Sequence, residues 1–328
     1  MKEFKLEPLT IKKNKKSNRP KTRGFGYQVL GFGSGGGAAP VEMDYLIVAG
    51  GGGSAPLGGA GAGGFRTSFP GGTQLEFENG TPYTVTVGSG GGSDAKGQNS
   101  TFQYGTSQSI LASGGGLGNE PTTSPSVPDK DGGSGGGGSS APGSNPGGEG
   151  GQGNVGGFSP PEGNDGANGA HFPAVMGGIN GGGGGGGANE AGTKTALPVG
   201  PNSAKGGDGS PSTINGSDVT RAGGGGAGMS GGPNGGAPGG GGIGGAGGGG
   251  GGNQGPMAGQ SGQANTGGGA GGGGDGGHTA ATGGSGVVIF RAPSATTLTV
   301  SPGDNQTSTA PGGEKIATFT VSGTITAE

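Results

Sequence analysis

The chain contains two apolar stretches that run directly into or out of polyglycine. "YLIVA" (Tyr45 to Ala49) is a continuous apolar run, typical of a fully buried strand, and Gly50 to Gly53 follow it at once. "GGSGVVIF" (Gly283 to Phe290) shows the same transition in reverse. Two such strands can pair, so we predict that they close a glycine-rich domain over residues 41–293.

Further β patterns flank these two strands. "TQLEF" and "YTVTVG" are separated by an Asn79-Gly80 turn, which predicts a strand, a tight turn and a strand. "STFQYG" and "SILASGGG" predict two more strands and complete a β-rich region at 41–112. In the C-terminal segment 294–328, "TTLTVS", "EKIATFTV" and "GTITAE" predict two or three strands. Exposed strand edges pair readily with other strands, so we expect these strands to pair with the body, with another copy or with another protein.

Residues 113–286 have a different composition. Only Phe158 and Phe172 are aromatic there, and large aliphatic residues are too sparse to offset backbone entropy by ordinary apolar burial. One interpretation is a disordered linker. The other is a bundle of polyglycine II helices, extended helices whose N–H and C=O groups all bond to neighbouring helices.

Separate glycine runs, turn-forming residues between them and the closing strand 287–293 favour the bundle. The seven glycines Gly181 to Gly187 suit an inner helix, which has neighbours on every side. The predicted fold class is therefore mainly β and irregular: a small β core plus a packed polyglycine II helix bundle, with no conventional hydrophobic core.

Charge divides the chain into a basic arm and a mildly acidic body. Residues 1–23 carry nine Lys/Arg against two Glu, and the remaining residues carry eight against eighteen Asp/Glu. A solvated tail and an anchor on an acidic partner are both open readings of this arm. Nucleic acid is an unlikely partner, since no aromatic residues interleave with the charges and the body repels phosphate. A second module follows at 24–40, "GFGYQVLGFGSGGG". The anchoring candidates in the two segments are Lys12, Lys13, Lys15, Lys16, Arg19, Lys21, Arg23, Phe25, Tyr27 and Phe32.

The sequence offers little for catalysis or metal binding. There is no cysteine, and the two histidines lack partners at metal-ligand spacing. Matches to G-x-G-x-x-G arise by chance in so much glycine and lack a strand–loop–helix context. We therefore expect no enzyme activity, no cofactor and no metal. No apolar run reaches about 18 residues, so membrane insertion is not expected either.

Binding residues are most simply placed on the insertions between glycine runs, at 117–131, 158–175 and 188–222. Aromatic residues there either plug the ends of the bundle or contact a ligand. The candidate receptor contacts are Phe158, His171, Phe172, Asn189, Glu190, Lys194, Asp218 and Arg221.

Four markers in order, "YLIVAGGGG", "GAGGFR", "YTVTVGSGG" and "GGSGVVIFR", resemble the glycine-rich domain of bacteriophage tail proteins over about residues 43–292. The 24–40 module resembles the N-terminal attachment module of marine phage structural proteins. The nearest fold analogy is the polyglycine II sandwich in the tip adhesin of T-even-type phages, whose end loops contact the host receptor. The basic arm and the β-rich C-terminal segment depart from that pattern, and no residue-level contact motif carries over.

The resemblance implies a virion structural protein, a tail fibre or tail-tip adhesin. Its arm would bind other virion proteins, and its loops would bind a host surface polysaccharide or outer-membrane protein. A homo-oligomer is possible. The alternatives are a capsid decoration or head fibre protein without a specific receptor, and an ice-binding or cell-surface protein. Ice binding would favour regular threonine rows, which the sequence does not show.

Overall fold

The computed structural model describes most of the chain between Ala39 and Glu328. The described residues are 39–54, 56–103, 105–118, 128–140, 147–172, 179–196, 204–231, 241–255, 257–274 and 281–328. Strands and irregular segments make up nearly all of them, and the only helical element in these ranges is a 3₁₀ turn at Pro128–Lys130. Over the same ranges, no helix has the length and apolar character to cross a membrane.

Sixteen strands occur in the described residues. They are β1 Val41–Val48, β2 Phe65–Thr67, β3 Leu75–Phe77, β4 Tyr83–Thr86, β5 Ser100–Phe102, β6 Ile110–Ala112, β7 Ala170–Phe172, β8 Ile179–Gly181, β9 Ser210–Ser212, β10 Val219–Arg221, β11 Met229–Gly231, β12 Val287–Ala292, β13 Leu298–Ser301, β14 Gln306–Thr309, β15 Lys315–Phe319 and β16 Gly323–Ala327.

Two antiparallel sheets form a sandwich. One has the order β14-β15-β12-β1-β2, with β3 paired to the first half of β1, and the other has the order β13-β16-β4-β5-β6. The core between them contains four fully buried phenylalanines, Phe77, Phe102, Phe290 and Phe319; the first three contact one another, and Phe319 contacts Phe290. The expectation of no conventional hydrophobic core is therefore wrong for this part of the chain, because two of the C-terminal strands, β15 and β16, add buried side chains to it.

The predicted pairing of the two glycine-flanked strands is confirmed. β1 and β12 are antiparallel neighbours, with Tyr45 opposite Phe290 and Val48 opposite Val287. The register places the polyglycine that follows β1 beside the polyglycine that precedes β12. Both glycine segments therefore leave the same end of the sandwich.

The strand–turn–strand prediction around Asn79-Gly80 holds in part. Gly80 adopts a left-handed φ of 74°, as a tight turn requires, and both strands are present. However, β3 pairs with β1 while β4 pairs with β5 and β16. The turn therefore crosses from one sheet to the other and does not close a hairpin.

The C-terminal strands pair with the body, the first of the three partners considered. β15 adds to β12 and β16 adds to β4, so both sheets depend on this segment. β14 was not predicted. The short strands β7 to β11 inside the glycine-rich region were not predicted either, because "AHF", "SPS" and "MSG" carry no clear alternation.

The outer face of the β1–β12 sheet has its own apolar cluster. Leu46, Ile289 and Ile316 are buried there against Ile214, which lies between β9 and β10. Ala62, Ala188 and Ala222 join the same cluster. These alanines tie the glycine-rich segments to the sandwich.

Beyond the sandwich, glycine segments pack backbone against backbone. We call them the glycine layer; its segments are 49–54, 56–64, 88–98, 113–118, 132–140, 147–153, 163–169, 182–188, 204–209, 222–228, 241–252, 267–274 and 283–286. Most of their glycines are buried, although they contribute no side chain.

Hydrogen bonds in the glycine layer repeat every three residues. Along 182–188, every third N–H group donates to carbonyl groups of the same neighbouring segment. The N–H groups of residues 182, 185 and 188 donate to the carbonyl groups of 228, 225 and 222. Those of 183 and 186 donate to 138 and 135, and those of 184 and 187 donate to 193 and 190. One segment thus bonds to three neighbours in turn. The same period appears along 59–64, whose donors reach 183 and 186, then 270 and 267, then 116 and 113.

These partners also fix the direction of each segment. Ala188 and Ala222 pack on the outer face of the sandwich, so residues 188 and 222 mark the near end of the glycine layer. Residues 182 and 228, six positions away along the two segments, mark its far end and adjoin β8 and β11. β1 approaches the glycine layer from the sandwich. Its last residues lead into the glycine layer, and its first residue, Val41, lies at the end of the sandwich remote from that layer.

Candidate functional site

The predicted receptor contacts do not form one cluster. His171 and Phe172 lie on β7 at the far end of the glycine layer, and Lys194 lies in its far half, bridged to Gly183. The other candidates, Phe158, Asn189, Glu190, Asp218 and Arg221, lie at or close to the near end. These residues were grouped because they lie in the insertions between glycine runs. In the structure, successive segments run in different directions and carry the residues to different ends of the glycine layer.

At the far end, β7, β8 and β11 form a three-stranded antiparallel sheet in the order β11-β8-β7. Its apolar face holds Phe172 packed on the buried Ile179 and Met229. Phe172 is therefore partly buried in this apolar cluster, and its two interpretations, plug and ligand contact, stay predictions. Because successive side chains alternate between faces, the opposite face carries the polar row.

That polar row consists of three residues in register, His171, Asn180 and Ser230. His171 Nδ1 lies 2.7 Å from Asn180 Oδ1, and in the tautomer protonated at Nδ1 the ring N–H donates to this amide oxygen. Asn180 and Ser230 are buried, while His171 is half-exposed. The Ser230 hydroxyl has no partner within the described residues. His171 is thus the member of the row that meets solvent, in an orientation fixed by its neighbour.

At the near end, a small charged cluster surrounds Glu190. Lys205 Nζ donates to Asp208 at 2.7 Å and to Glu190 at 3.4 Å. The hydrogen bond to Asp208 raises the pKa of Lys205 above its usual value. Asn189 is exposed, and its N–H donates to the Asp208 carbonyl. Exposed ion pairs of this type contribute little stability, and no group of acidic, His or Cys side chains able to hold a metal ion occurs in the described part of the chain.

Asp218 and Arg221 belong to the β9–β10 hairpin and differ in exposure. Asp218 is exposed, whereas Arg221 is only 7% exposed, which leaves little of its surface to meet a partner. Desolvation by burial lowers the pKa of Arg221 from its ordinary value. Its guanidinium donates weakly to the Val219 carbonyl at 3.4 Å.

Phe158 lies at the junction between sandwich and glycine layer, beside two residues that the sequence did not single out. The Arg66 guanidinium carbon is 3.9 Å from the centre of the Phe158 ring, a cation–π contact. Glu162, four residues further on, is 1% exposed, and burial raises the pKa of its carboxyl group. Arg66 is the last residue of the "GAGGFR" marker. Glu162 gives no sequence signal, because it is a single glutamate in a polar loop.

A separate open groove of about 340 Å³ lies between the edge strands β13 and β14. Hydroxyl groups dominate its walls, which are formed by Thr296, Thr297, Leu298, Thr307, Ser308, Thr309 and Lys315. It is at the end of the sandwich remote from the glycine layer, since Lys315 pairs with Ala292, the last residue of β12. None of the predicted contacts lines it.

The anchoring candidates Lys12, Lys13, Lys15, Lys16, Arg19, Lys21, Arg23, Phe25, Tyr27 and Phe32 all lie outside the described residues. Their role stays a prediction.

Comparison with protein families agrees with the architecture. The model of the glycine-rich domain family matches residues 27–293, from the N-terminal module to the end of β12. The chain belongs to this family. No significant match was found among curated proteins or among solved structures.

Proposed function

We propose that this protein is a non-enzymatic structural protein of a bacteriophage particle, a tail fibre or tail-tip adhesin. In this proposal the glycine layer is a rigid polyglycine II scaffold that carries receptor-binding residues at its far end. The partners are other virion proteins at one end and a host surface polysaccharide or outer-membrane protein at the other.

The period of three in the hydrogen bonds supports the polyglycine II scaffold. A helix with three residues per turn directs residues i and i+3 to the same side, so its N–H groups reach three neighbours in rotation. Segments 59–64 and 182–188 follow that rotation. At about 3.1 Å per residue, the six steps from 182 to 188 span about 19 Å. A crystal structure with φ near −75° and ψ near +145° along 182–188 is the expected result, and strand-like values would refute the helix assignment.

The observation that carries the adhesin proposal is the polarity of the molecule. Val41, the first residue of β1, lies at the end of the sandwich remote from the glycine layer, while His171 and Phe172 lie at the far end of the glycine layer. Attachment and recognition would then take place at opposite ends, as a protruding adhesin requires. The bacteriophage assignment itself depends on the resemblance of the four sequence markers.

The test uses phage particles in which mass spectrometry detects this protein. Gold-labelled Fab fragments against residues 168–172 at the far end are imaged beside Fab fragments against 304–313 at the sandwich end. We expect both labels on the tail, with the far-end label outermost, and slower adsorption to host cells only with the far-end Fab. Label distributed over the capsid would make this a decoration protein and remove the receptor role.

A further inference from the structure

The junction of sandwich and glycine layer contains a buried acid that the proposed function does not use. Glu162 ends a loop, residues 154–162, that also carries Phe158. Asn154 organises the loop: its side-chain oxygen accepts N–H bonds from Phe158 and Glu162, and its side-chain nitrogen donates to the Phe158 carbonyl. Phe65 N–H donates to the Glu162 carbonyl at 2.8 Å and joins the loop to β2.

The Glu162 carboxyl group is only partly satisfied. One oxygen, Oε2, accepts the Ser113 N–H at 3.0 Å, while the buried Oε1 has no partner among the described residues. The group lies directly against Gly64, where a Cβ atom would come within 2.3 Å of Oε2. A side chain at position 64 would therefore expel the carboxyl group.

Few charges act on this group. β2 contributes Arg66, which is committed to the Leu111 carbonyl at 2.9 Å and to the Phe158 ring. The segment after β6 offers only the backbone and hydroxyl of Ser113, and Asp165, further along the same chain segment, is exposed and accepts the Gly153 N–H. An ionised Glu162 therefore has no direct ion pair with any described residue. Desolvation by burial raises its pKa and outweighs the Ser113 contacts and the charge of Arg66, which lower it.

We propose that residues 154–162 form a proton-dependent latch, which is closed while Glu162 is protonated and loosens when Glu162 ionises. Release hydrates the carboxylate and frees Phe158 from Arg66. The latch depends on the residues of the junction alone and does not require that the protein is an adhesin.

The direction of the pH effect follows from the raised pKa of Glu162. A carboxyl group whose folded pKa exceeds its unfolded value favours the closed state most strongly below the unfolded pKa, about 4.5. That advantage declines as pH rises through the folded pKa. For one proton, the closed–open equilibrium constant changes by at most about tenfold per pH unit.

The test is hydrogen exchange measured by mass spectrometry on the full chain between pH 4 and pH 8, corrected for the intrinsic pH dependence of exchange. We expect peptides covering 154–162 to lose protection in the wild type as the pH rises, and to keep constant protection in Glu162→Gln. Glu149→Gln, which removes an exposed carboxylate in the adjacent segment, is the matched control and keeps the wild-type profile.

Protection of 154–162 that is independent of pH in the wild type overturns the latch, and this arm needs no variant. Equal pH dependence in Glu162→Gln overturns the role of Glu162. If that variant does not fold, the titration of ¹³C-labelled glutamate side chains in the wild type replaces it. A single carboxyl resonance whose midpoint lies above the usual range and coincides with the loss of protection supports the latch, and normal midpoints for all carboxyl groups refute it.

Discussion

A Cβ atom at position 185 has no room in the glycine layer. An ideal Cβ on Gly185 lies 1.9 Å from the Ala60 carbonyl oxygen and 2.3 Å from the carbonyl carbon. Real Cβ contacts stay at or beyond 3.0 Å, so the two backbones must separate by about an ångström. Gly185→Ala therefore tests directly whether backbone contact specifies glycine in this layer.

The separation would strain hydrogen bonds on both sides. Gly185 N–H donates to Gly225 and its carbonyl accepts from Gly207, while the displaced Ala60 carbonyl accepts the Gly225 N–H at 2.8 Å. Overpacking costs about 1–3 kcal/mol, and each weakened hydrogen bond adds about 0.5–1.5 kcal/mol. Glycine-to-alanine exchange restricts the unfolded chain and returns about 0.4–1 kcal/mol. We expect Gly185→Ala to lower the free energy of unfolding by about 2–4 kcal/mol.

The assay is urea unfolding at one pH, compared through the midpoint at constant slope. Gly92→Ala is the control, since a Cβ there has no atom within 4 Å and its φ is not in the left-handed region. It should leave stability unchanged or raise it by less than about 1 kcal/mol. If Gly185→Ala is as stable as wild type, backbone contact does not specify glycine in this layer.

Three further predictions concern the sandwich. Phe290→Ala should lower the free energy of unfolding by about 3–5 kcal/mol in the same urea assay, because Phe290 is fully buried and contacts three other rings. A loss below about 1 kcal/mol would contradict the assigned core. A chain ending at residue 293 should lose cooperative thermal unfolding and bind a hydrophobic dye, because it lacks β15 and β16, which supply fully buried core residues such as Phe319. A cooperative transition in this shortened chain would show that the family region folds alone. The pKa of Glu314 is lowered by its own backbone N–H and by Arg291, 3.0 Å away, so its ionised form adds stability above the unfolded pKa that is lost as pH falls through the lowered pKa. Glu314→Gln should therefore shift the urea midpoint downwards at pH 7 but hardly at all at pH 3, and an equal shift at both pH values would exclude this linkage.

The sequence predicted the parts of the fold that side chains encode. "YLIVA" and "GVVIF" identified β1 and β12 and their pairing, because a continuous apolar run has few alternatives to a buried strand. The stretch "EKIATFTV" likewise predicted β15. The sequence did not reveal that the Asn79-Gly80 turn crosses between sheets, since a turn dipeptide fixes local backbone geometry and not the partner of the strand that follows.

The candidate site was less predictable for a related reason. His171 and Phe172 stood out as aromatic residues in polyglycine, yet their different environments follow from alternation across a three-residue strand. Arg66 and Glu162 meet Phe158 only because segments far apart in sequence return to the same junction. Nothing local in the sequence encodes that meeting.

The register of the glycine layer is the feature least accessible to sequence reasoning. Sliding a run such as Gly181 to Gly187 by three residues would restore the same hydrogen-bond pattern, and glycine has no side chain to prefer one position. The register must therefore be set where side chains resume. Ala62, Ala188 and Ala222 on the outer face of the sandwich fix the near end, and Ile179 with Met229 fixes the far end. A few apolar residues at each end thus align a layer that is otherwise uniform, so their substitution should shift or unfold segments that they do not themselves contact.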